Sequence, residues 1–445
     1  MAVSACSSSA GPGISGTATD RATLPAGPIA TAVGSSRFPA TAAPSTDGTA
    51  QPTPPSGPTT PPASTGTPEA TPGASPSSEP SSPPSEPPTQ PAGLSKVVLG
   101  FFLPSQMDHV LHQSDMGVLS SIAFFGISST SGGNLHRRVR GGALDSGWKA
   151  WIGPKMDQVI ARAHDAGTKV VLTVTRFSWN SEGYHTSVKL LSNQAARSRL
   201  AHQIAAEVTR RGVDGVNIDF EPIPSSETDH FTDLVRRVRT ALDGERAGLE
   251  LTVATTGYIA NYDIEGLTAP GAADAIYIMA YHYSGSWSNR AGAVSPLHRK
   301  SYDVTDTVTE YLKHTTANKL ILGMPYYGNV WSTTSSQVHS KTRPGSRSYG
   351  YPGSVIYSTA AQTAAAHGRL WDSTEQGPWT RWQSRACGSC PLTWRQLYYE
   401  DAQSLGLKYD LVNARGLRGT GIWTLGFAGN GPELDDALRE AFGSH

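Results

Sequence analysis

Residues 213–221 read Val-Asp-Gly-Val-Asn-Ile-Asp-Phe-Glu, and from Gly215 onward apolar side chains alternate with polar ones. In a strand this alternation places three polar groups on one face, namely Asn217, Asp219 and Glu221. An exposed antiparallel strand alternates in the same way, but helix-like runs on both sides of this stretch favour a parallel strand. Parallel strands are normally apolar on both faces, so two carboxylates and an amide on one of them indicate a functional site.

The sequence around this strand predicts a regular succession of strands and helices. Eight short apolar runs are interpreted as strands: Val97–Leu103, Leu119–Ile127, Lys169–Thr175, Val213–Glu221, Leu249–Thr255, Ala275–Tyr281, Leu320–Met324 and Gly419–Leu425. Helix-like segments lie between several of them: Pro154–Ala166, Gln194–Arg211, Thr228–Asp243, Thr305–His314 and Asp401–Ala414. This order predicts a (β/α)₈ TIM barrel with its functional side chains at the C-terminal ends of the strands. An open doubly wound sheet is the alternative, but the first strand is followed by no glycine-rich phosphate loop.

The interval between Met324 and Asp401 is too long for a connecting loop. We interpret residues 329–397 as a small α+β subdomain inserted after the seventh strand, within a barrel domain that spans residues 94–445. Cys387 and Cys390 fall in this insertion, and no second Cys or His pair with zinc-ligand spacing follows them. We therefore expect a short disulfide in an oxidising compartment rather than a zinc or redox site.

Residues 1–93 are rich in Ser, Thr, Pro, Ala and Gly and contain hardly any large apolar side chain. This composition predicts an extended, disordered tether. Cys6 follows Met-Ala-Val-Ser-Ala and precedes three serines, which resembles the end of a bacterial lipoprotein signal without its charged start and apolar core. One hypothesis is that translation starts upstream and that Cys6 carries a lipid anchor. The other is a low-complexity tail that contains a chance cysteine.

The overall charge excludes several classes of partner. Lys plus Arg and Asp plus Glu both number 36, so no basic field is present to attract nucleic acid or an anionic membrane. No apolar run is long enough to span a bilayer. Residues 11–16 match the spelling of a dinucleotide-binding loop, but they lack the strand and helix that such a loop requires, so we predict no cofactor. We expect a monomer that acts on an uncharged or small substrate.

Only the fourth predicted strand ends in carboxylates. The other strand ends offer mainly aromatic and hydroxyl groups, and the substrate-binding candidates among them are Phe102, Met279, Tyr281, His282, Tyr327 and Trp423. Aromatic rings with a few polar groups suit the faces of sugars, and carboxylates are the usual acids of glycoside hydrolysis. Since no second carboxylate is at hand as nucleophile or base, we expect the nucleophile to be the carbonyl oxygen of a 2-acetamido group on the substrate.

These residues carry a family resemblance. The run Asp214-Gly-Val-Asn-Ile-Asp-Phe-Glu221 resembles the fourth-strand signature Asp-x-x-Asp-x-Asp-x-Glu of family 18 glycoside hydrolases, the chitinase-like enzymes. Tyr277–Tyr281, Lys319–Gly328 and Gly421–Leu425 look like the sixth, seventh and eighth strands of that family. The resemblance covers about residues 96–442 and also implies a (β/α)₈ barrel.

The resemblance implies a role for each of five residues. Glu221 would be the general acid that protonates the leaving oxygen and later the base that activates water. Asp219 would orient the acetamido group and stabilise the charge that grows on its nitrogen. Tyr281 would donate a hydrogen bond to the acetamido oxygen, and Trp423 would form the floor under the reacting sugar. Asp214 would anchor the strand without touching substrate.

Two positions depart from the family pattern. Asn217 replaces the middle acid of the signature, which removes one charge behind Asp219 and implies a shifted pH optimum. His282 stands where the family usually has Asp after the sixth-strand Tyr, and it would bond a sugar hydroxyl or gain charge near neutrality. We keep both among the substrate-binding candidates, because these departures concern substrate preference more than activity.

The sequence therefore predicts a glycoside hydrolase that acts on β-1,4-linked N-acetylglucosamine polymers by substrate-assisted, retaining catalysis. Peptidoglycan and N-glycan cores remain alternative substrates because each contains an N-acetylglucosamine unit. A carbohydrate-binding protein that has lost turnover is the alternative from another functional class. We expect the protein to be secreted or lipid-anchored at a bacterial cell surface.

Overall fold

The computed structural model describes residues 93–443 and contains a closed barrel of eight parallel strands. The barrel strands are β1 (Val97–Phe102), β2 (Ser121–Ser128), β3 (Lys169–Phe177), β4 (Gly215–Glu221), β5 (Glu250–Thr256), β6 (Ala275–Met279), β7 (Leu320–Pro325) and β13 (Gly419–Trp423). Each strand pairs in parallel with its neighbour, and β1 closes the ring by pairing with both β2 and β13. The predicted (β/α)₈ barrel is confirmed, with strand bounds that differ from the sequence estimate by a few residues.

Helices follow most of the barrel strands. They are α1 (Met107–His112), α2 (Ser146–Trp151), α3 (Pro154–Asp165), α4 (Ser181–Leu191), α5 (Gln194–Arg211), α6 (Thr228–Glu245), α7 (Ile264–Thr268), α8 (Val304–Tyr311), α9 (Tyr357–His367), α10 (Ala402–Ala414) and α11 (Glu433–Phe442). Helix α5 ends at Gly212 with φ of 65°, a left-handed conformation that glycine adopts readily. Helix α6 ends at Glu245, two residues beyond its predicted end at Asp243, so Gly244 lies inside the helix.

The barrel strands are buried on both faces, as parallel strands in this architecture are. On β1 the alternate residues Leu99 and Phe101 face the interior of the barrel, where they pack with Tyr277. Gly421 makes room for that tyrosine, because a Cβ atom there would lie 2.4 Å from the Cε2 atom of Tyr277. The opposite face of each strand packs against the helices in the larger outer core. The polar residues of β4 therefore project into the barrel itself.

The insertion folds as a five-stranded antiparallel sheet with α9 beside it. Its strands are β8 (Tyr327–Thr333), β9 (Gly353–Ile356), β10 (Leu370–Asp372), β11 (Gly377–Ser384) and β12 (Thr393–Tyr398), and they are arranged in the order β10-β11-β12-β8-β9. Cys387 and Cys390 form a disulfide in the hairpin between β11 and β12, with their Cα atoms 4.9 Å apart. The sheet begins two residues before the predicted insertion and ends one residue after it.

The predicted tether and Cys6 lie outside the described residues, apart from Gly93. In the part of the chain that the structure describes, no helix combines the length and the apolar character that a membrane span requires.

Candidate active site

Strand β4 places three polar side chains inside the barrel, in the alternation that its sequence predicts. Asn217 is fully buried and accepts a hydrogen bond from the Thr252 hydroxyl at 2.9 Å. Asp219 is 3% exposed, and its Oδ1 atom has no hydrogen-bond partner among residues 93–443. Glu221 is half-buried at the C-terminal end of the strand, where β3 supplies Phe177 as its neighbour in the sheet. The two carboxylates thus occupy successive inward positions at the mouth.

Burial controls the protonation of these two acids. It raises the pKa of Asp219 to about 7. It also raises the pKa of Glu221 well above its usual value, and the charge of Asp219 raises it further. Because the two groups interact, they lose their protons in coupled steps, and the pair retains at least one proton at neutral pH. A protonated carboxyl that faces an open barrel mouth can act as a general acid.

Tyrosine hydroxyls line the side of the mouth that faces these acids. Tyr281 and Tyr327 are buried, and their rings meet edge to face with centroids 6.2 Å apart. Burial, followed by the proximity of Tyr277, raises the pKa of Tyr281 well above its usual value, so its hydroxyl keeps its proton and can donate. The Tyr327 hydroxyl is buried without a hydrogen-bond partner among the described residues. An oxygen-rich ligand in the mouth would satisfy it.

Trp423 forms an aromatic platform at the end of β13. Its ring lies 4.6 Å from the ring of Phe125 in an edge-to-face arrangement and 5.8 Å from that of Phe101. Met279 packs against the same buried tyrosines as Trp423 does. Both side chains are only partly buried, so they leave apolar surface inside the mouth for a sugar ring.

The structure does not place Phe102 at the site, which corrects that prediction. Phe102 is fully buried on the helix-facing side of β1, where its ring packs 5.8 Å from that of Phe124. Phe101 is the residue that faces inward and contacts Trp423. The run Val97–Phe102 is apolar at every position, so its sequence carries no alternation from which the inward face could be read.

His282 stands at the rim of the mouth with φ of 67°. Its ring centroid lies 5.9 Å from that of Tyr327 and 6.3 Å from that of Trp287. The side chain keeps an exposed surface, but the surrounding protein disfavours the charged ring and lowers the pKa of His282 to about 4. The ring is therefore neutral at neutral pH, and of the two predicted roles a hydrogen bond to a sugar hydroxyl fits better than a charge.

Asp214 lies at the opposite end of β4 from the mouth. Its Oδ2 atom accepts hydrogen bonds from the backbone N–H of Val170 and from the ring of His164, both at 2.8 Å. These contacts tie the start of β4 to β3 and α3. Asp214 thus has a structural position, away from the barrel mouth.

Several residues at the mouth were not identified as candidates from the sequence. Tyr277 and Phe101 fill the barrel beneath Trp423, and Tyr262 donates from its hydroxyl to the carbonyl of Phe220 at 2.8 Å. Phe125 supports Trp423 from β2. Tyr277 stands four residues before Tyr281 in a run apolar on both faces, and only knowledge of which strands are adjacent would have singled out the others.

Comparison with known proteins places this site in a family. Residues 83–428 match the model for "Glycosyl hydrolases family 18". Chitinase 1 of Aphanocladium album is 25% identical over 281 residues, which are 59% of this chain and 63% of that protein. The cortical fragment-lytic enzyme of Bacillus subtilis is 22% identical over 286 residues, which are 62% of this chain and 61% of that protein. The chain thus spans somewhat less than two thirds of the length of these relatives.

A solved structure shares the fold. A family 18 chitinase mutant from Cycas revoluta, in complex with (GlcNAc)₄, superposes with a TM-score of 0.64 and 18% sequence identity. The superposition covers 78% of this chain and 99% of that chain. At this identity the likeness bears on the barrel architecture rather than on the substrate.

Proposed function

The chain belongs to glycosyl hydrolases family 18, and we propose that it hydrolyses β-1,4-linked N-acetylglucosamine polymers, chitin or its oligomers, with retention of anomeric configuration. The observation that carries this proposal is the pair Asp219 and Glu221, two adjacent acids with raised pKa values at the mouth of the barrel. Among residues 93–443, no other barrel strand ends in a carboxylate. Chitinase 1 of Aphanocladium album, the relative named as a chitinase, supports the choice of chitin.

In the first step Glu221 acts as the general acid. Its carboxyl transfers a proton to the glycosidic oxygen while the bond from that oxygen to C1 of the sugar breaks. The carbonyl oxygen of the sugar's own 2-acetamido group forms the new bond to C1, which gives a cyclic oxazolinium ion. Asp219 accepts a hydrogen bond from the acetamido N–H through its unpartnered Oδ1 atom and stabilises the positive charge.

The second step restores the enzyme. Glu221, now a carboxylate, takes a proton from a water molecule whose oxygen attacks C1 from the face that the leaving group vacated. The bond from C1 to the acetamido oxygen breaks, and the product keeps the β configuration. Tyr281 donates to the acetamido oxygen, and Trp423 supports the apolar face of the sugar throughout.

The test uses the full-length protein and chitooligosaccharides of defined length. ¹H NMR during the first minutes should show the β anomer of the new reducing end, because retention follows from two displacements at C1. A matched oligomer that lacks the acetyl group on the reacting sugar should be stable, since that sugar cannot form the oxazolinium ion. Initial release of the α anomer would contradict the mechanism.

The same experiment separates catalysis from binding alone. If the protein binds chitooligosaccharides and releases no product under any condition, a carbohydrate-binding role replaces the proposed hydrolase. Glu221 is present in the position of the acid, which favours turnover.

We also propose that the protein works outside the cytoplasm, at or beyond the cell surface. The Cys387–Cys390 disulfide supports this location, because disulfides persist mainly in oxidising compartments. Thiol labelling of protein from intact cells should find both cysteines unreactive until a reductant is added. Free thiols at these two positions in the native protein would argue against the proposal.

A further inference from the structure

A polar cavity lies beside the catalytic strand and is not used by the mechanism above. Its volume is about 490 Å³, enough for a sugar substituent of several atoms. It is bounded by the end of β3, by the serine-rich loop after β2 and by the first turn of α4. The lining side chains include Arg176, Phe177 and Glu182.

The cavity shares a wall with the substrate cleft. Phe177 lines the cavity and pairs in the sheet with Glu221, and the Glu221 carbonyl accepts a hydrogen bond from the backbone N–H of Ser178. The Phe177 ring lies 6.4 Å from that of Phe125, which in turn packs against Trp423. A substituent on a sugar next to the reacting one could therefore reach the cavity across Phe177.

The guanidinium of Arg176 lines this cavity and makes only part of the hydrogen bonds of which it is capable. Its Nη1 atom donates to the carbonyl of Ser129 at 2.7 Å, whereas Nε is buried without a hydrogen-bond partner among residues 93–443. Within the same residues its guanidinium forms no ion pair; the negative charge of Glu182 acts on it from a greater distance. Burial lowers the pKa of Arg176, so the surroundings leave the charge poorly compensated.

Several other buried arginines among residues 93–443 have a carboxylate beside them. An ion pair is formed by each of Arg197, Arg211, Arg239 and Arg299, although Arg211 and Arg239 also keep nitrogens without a hydrogen-bond partner. Arg162 and Arg395 have no carboxylate partner, but each donates two hydrogen bonds to protein oxygens. Arg176 has one. Because a buried polar group without a partner is costly, a group that accepts from Nε of Arg176 is expected in the cavity.

We propose that this cavity binds a carboxylate carried by the glycan substrate, with Arg176 as the residue that recognises it. A carboxylate fits the guanidinium fork with two charge-assisted hydrogen bonds. The substrate class is thus an N-acetylhexosamine polymer in which some sugars bear a carboxyl-containing substituent, as in peptidoglycan. Glu182 opposes the bound anion and limits its affinity. This inference rests on the proposed hydrolysis of β-1,4-linked N-acetylglucosamine units and extends it from neutral chitin to polymers with acidic substituents. It also changes the expectation of an uncharged substrate that the balanced composition suggested.

The test compares two soluble substrates of equal length on the full-length protein: a neutral chitooligosaccharide and an oligomer whose alternate sugars carry a lactyl ether carboxylate. Arg176→Gln should lower kcat/KM on the acidic oligomer by about 10- to 100-fold, as expected for a lost charge-assisted pair. The loss on the neutral oligomer should stay below about threefold. Glu182→Gln should change kcat/KM on the acidic oligomer in the opposite direction, since it removes the repulsion.

Arg138→Gln is the matched control. Arg138 lies in the loop between β2 and α2, donates to the carbonyl of Gly142 at 2.5 Å and does not line the cavity. Its loss should affect neither substrate, whereas the effect of Arg176→Gln on the acidic oligomer should weaken as salt is added.

The remaining outcomes test the inference and the proposed function separately. Equal losses on both oligomers for Arg176→Gln, with unaltered thermal unfolding, would overturn the inference and leave the proposed function intact. If the unmutated protein cleaves neither oligomer, the proposed function fails. In that case calorimetry would measure the affinities of the unmutated protein and of Arg176→Gln for the acidic and the neutral oligomer. Equal affinities of the two proteins for the acidic oligomer would overturn the inference, whatever the outcome for catalysis.

Discussion

Two pairs of buried acids lie in different parts of this molecule, and their pKa values are shifted in opposite directions. At the barrel mouth, Asp219 and Glu221 have no cationic partner among the described residues, and burial raises both pKa values. In the insertion, Asp372 and Glu375 are 3% and 5% exposed, yet both have lowered pKa values. Burial alone would raise these as well, but the positive charge of His339, together with backbone N–H donors and, for Glu375, Arg299, outweighs it.

The partners explain the difference. Glu375 accepts from Arg299 at 2.7 Å and from the backbone N–H of Ala293 at 2.5 Å. His339 lies 2.5 Å from Asp372 and 3.5 Å from Glu375, and these contacts raise the pKa of His339 to about 9. Buried acids with a cationic partner stay charged and stabilise the fold. Buried acids without such a partner have raised pKa values and can exchange protons.

The largest expected effect comes from Glu221→Gln at the mouth. It should lower kcat on chitooligosaccharides by about 10³- to 10⁴-fold, because general acid catalysis is lost while the shape of the side chain is kept. Thermal unfolding should not move to lower temperature, since the change removes a buried acid that has no cationic partner. Glu375→Gln is the matched control, and it should lower the unfolding temperature while kcat is retained. If Glu221→Gln instead kept turnover and destabilised the fold, the pair at the mouth would have a structural role like that of the pair in the insertion.

The second effect concerns Arg299, which bridges the insertion to the loop after β6. Arg299→Met should lower the free energy of unfolding by about 3 kcal/mol, because the buried carboxylate of Glu375 loses its closest cationic partner and keeps only the Ala293 N–H and the more distant His339. Denaturant titration followed by tryptophan fluorescence measures this change. The kcat of the folded fraction should match that of the unmutated protein. A loss below about 1 kcal/mol would show that Glu375, like the acids at the mouth, does not need a cationic partner such as Arg299.

The sequence predicted these two regions to very different extents. The alternation in β4 was enough to single out Asp219 and Glu221, because a polar group on a parallel strand needs a reason to be there. Nothing local marked the insertion pair, since Arg299 and Glu375 stand 76 residues apart and meet only in the folded chain. The same limit applies to Arg176, which reads as an ordinary strand-end residue until the cavity around it is known. Phe102 was misplaced because β1 is apolar on both faces.

The third effect is the pH dependence of turnover. Glu221 must be protonated to act, so activity is present below its folded-state pKa and is lost as pH rises through that value. Asp219→Asn removes the neighbouring charge that helps to raise the pKa of Glu221. The alkaline limb of the kcat profile should therefore move to lower pH by about 1 unit, and kcat at the optimum should fall by about 10- to 100-fold. An unmoved limb would mean that burial alone sets the protonation of Glu221.

The smallest effect is a change of stability that has opposite signs in the two regions. The pKa of His339 is raised in the fold, so its stabilisation is complete below pH 6.5 and is lost as pH rises through about 9. His339→Gln should lower the unfolding temperature by about 2–4 °C at pH 6, a modest loss because the side chain is 30% exposed, and by less at pH 9.5. The pKa of Glu221 is also raised, and in an acid this means that stability falls as pH rises above about 4.5. Glu221→Gln should therefore leave stability unchanged at pH 4 and increase it at pH 7, whereas His339→Gln lowers it. Differential scanning calorimetry at several pH values measures both, and a stability change of the same sign in the two variants would remove the distinction between a structural and a catalytic pair.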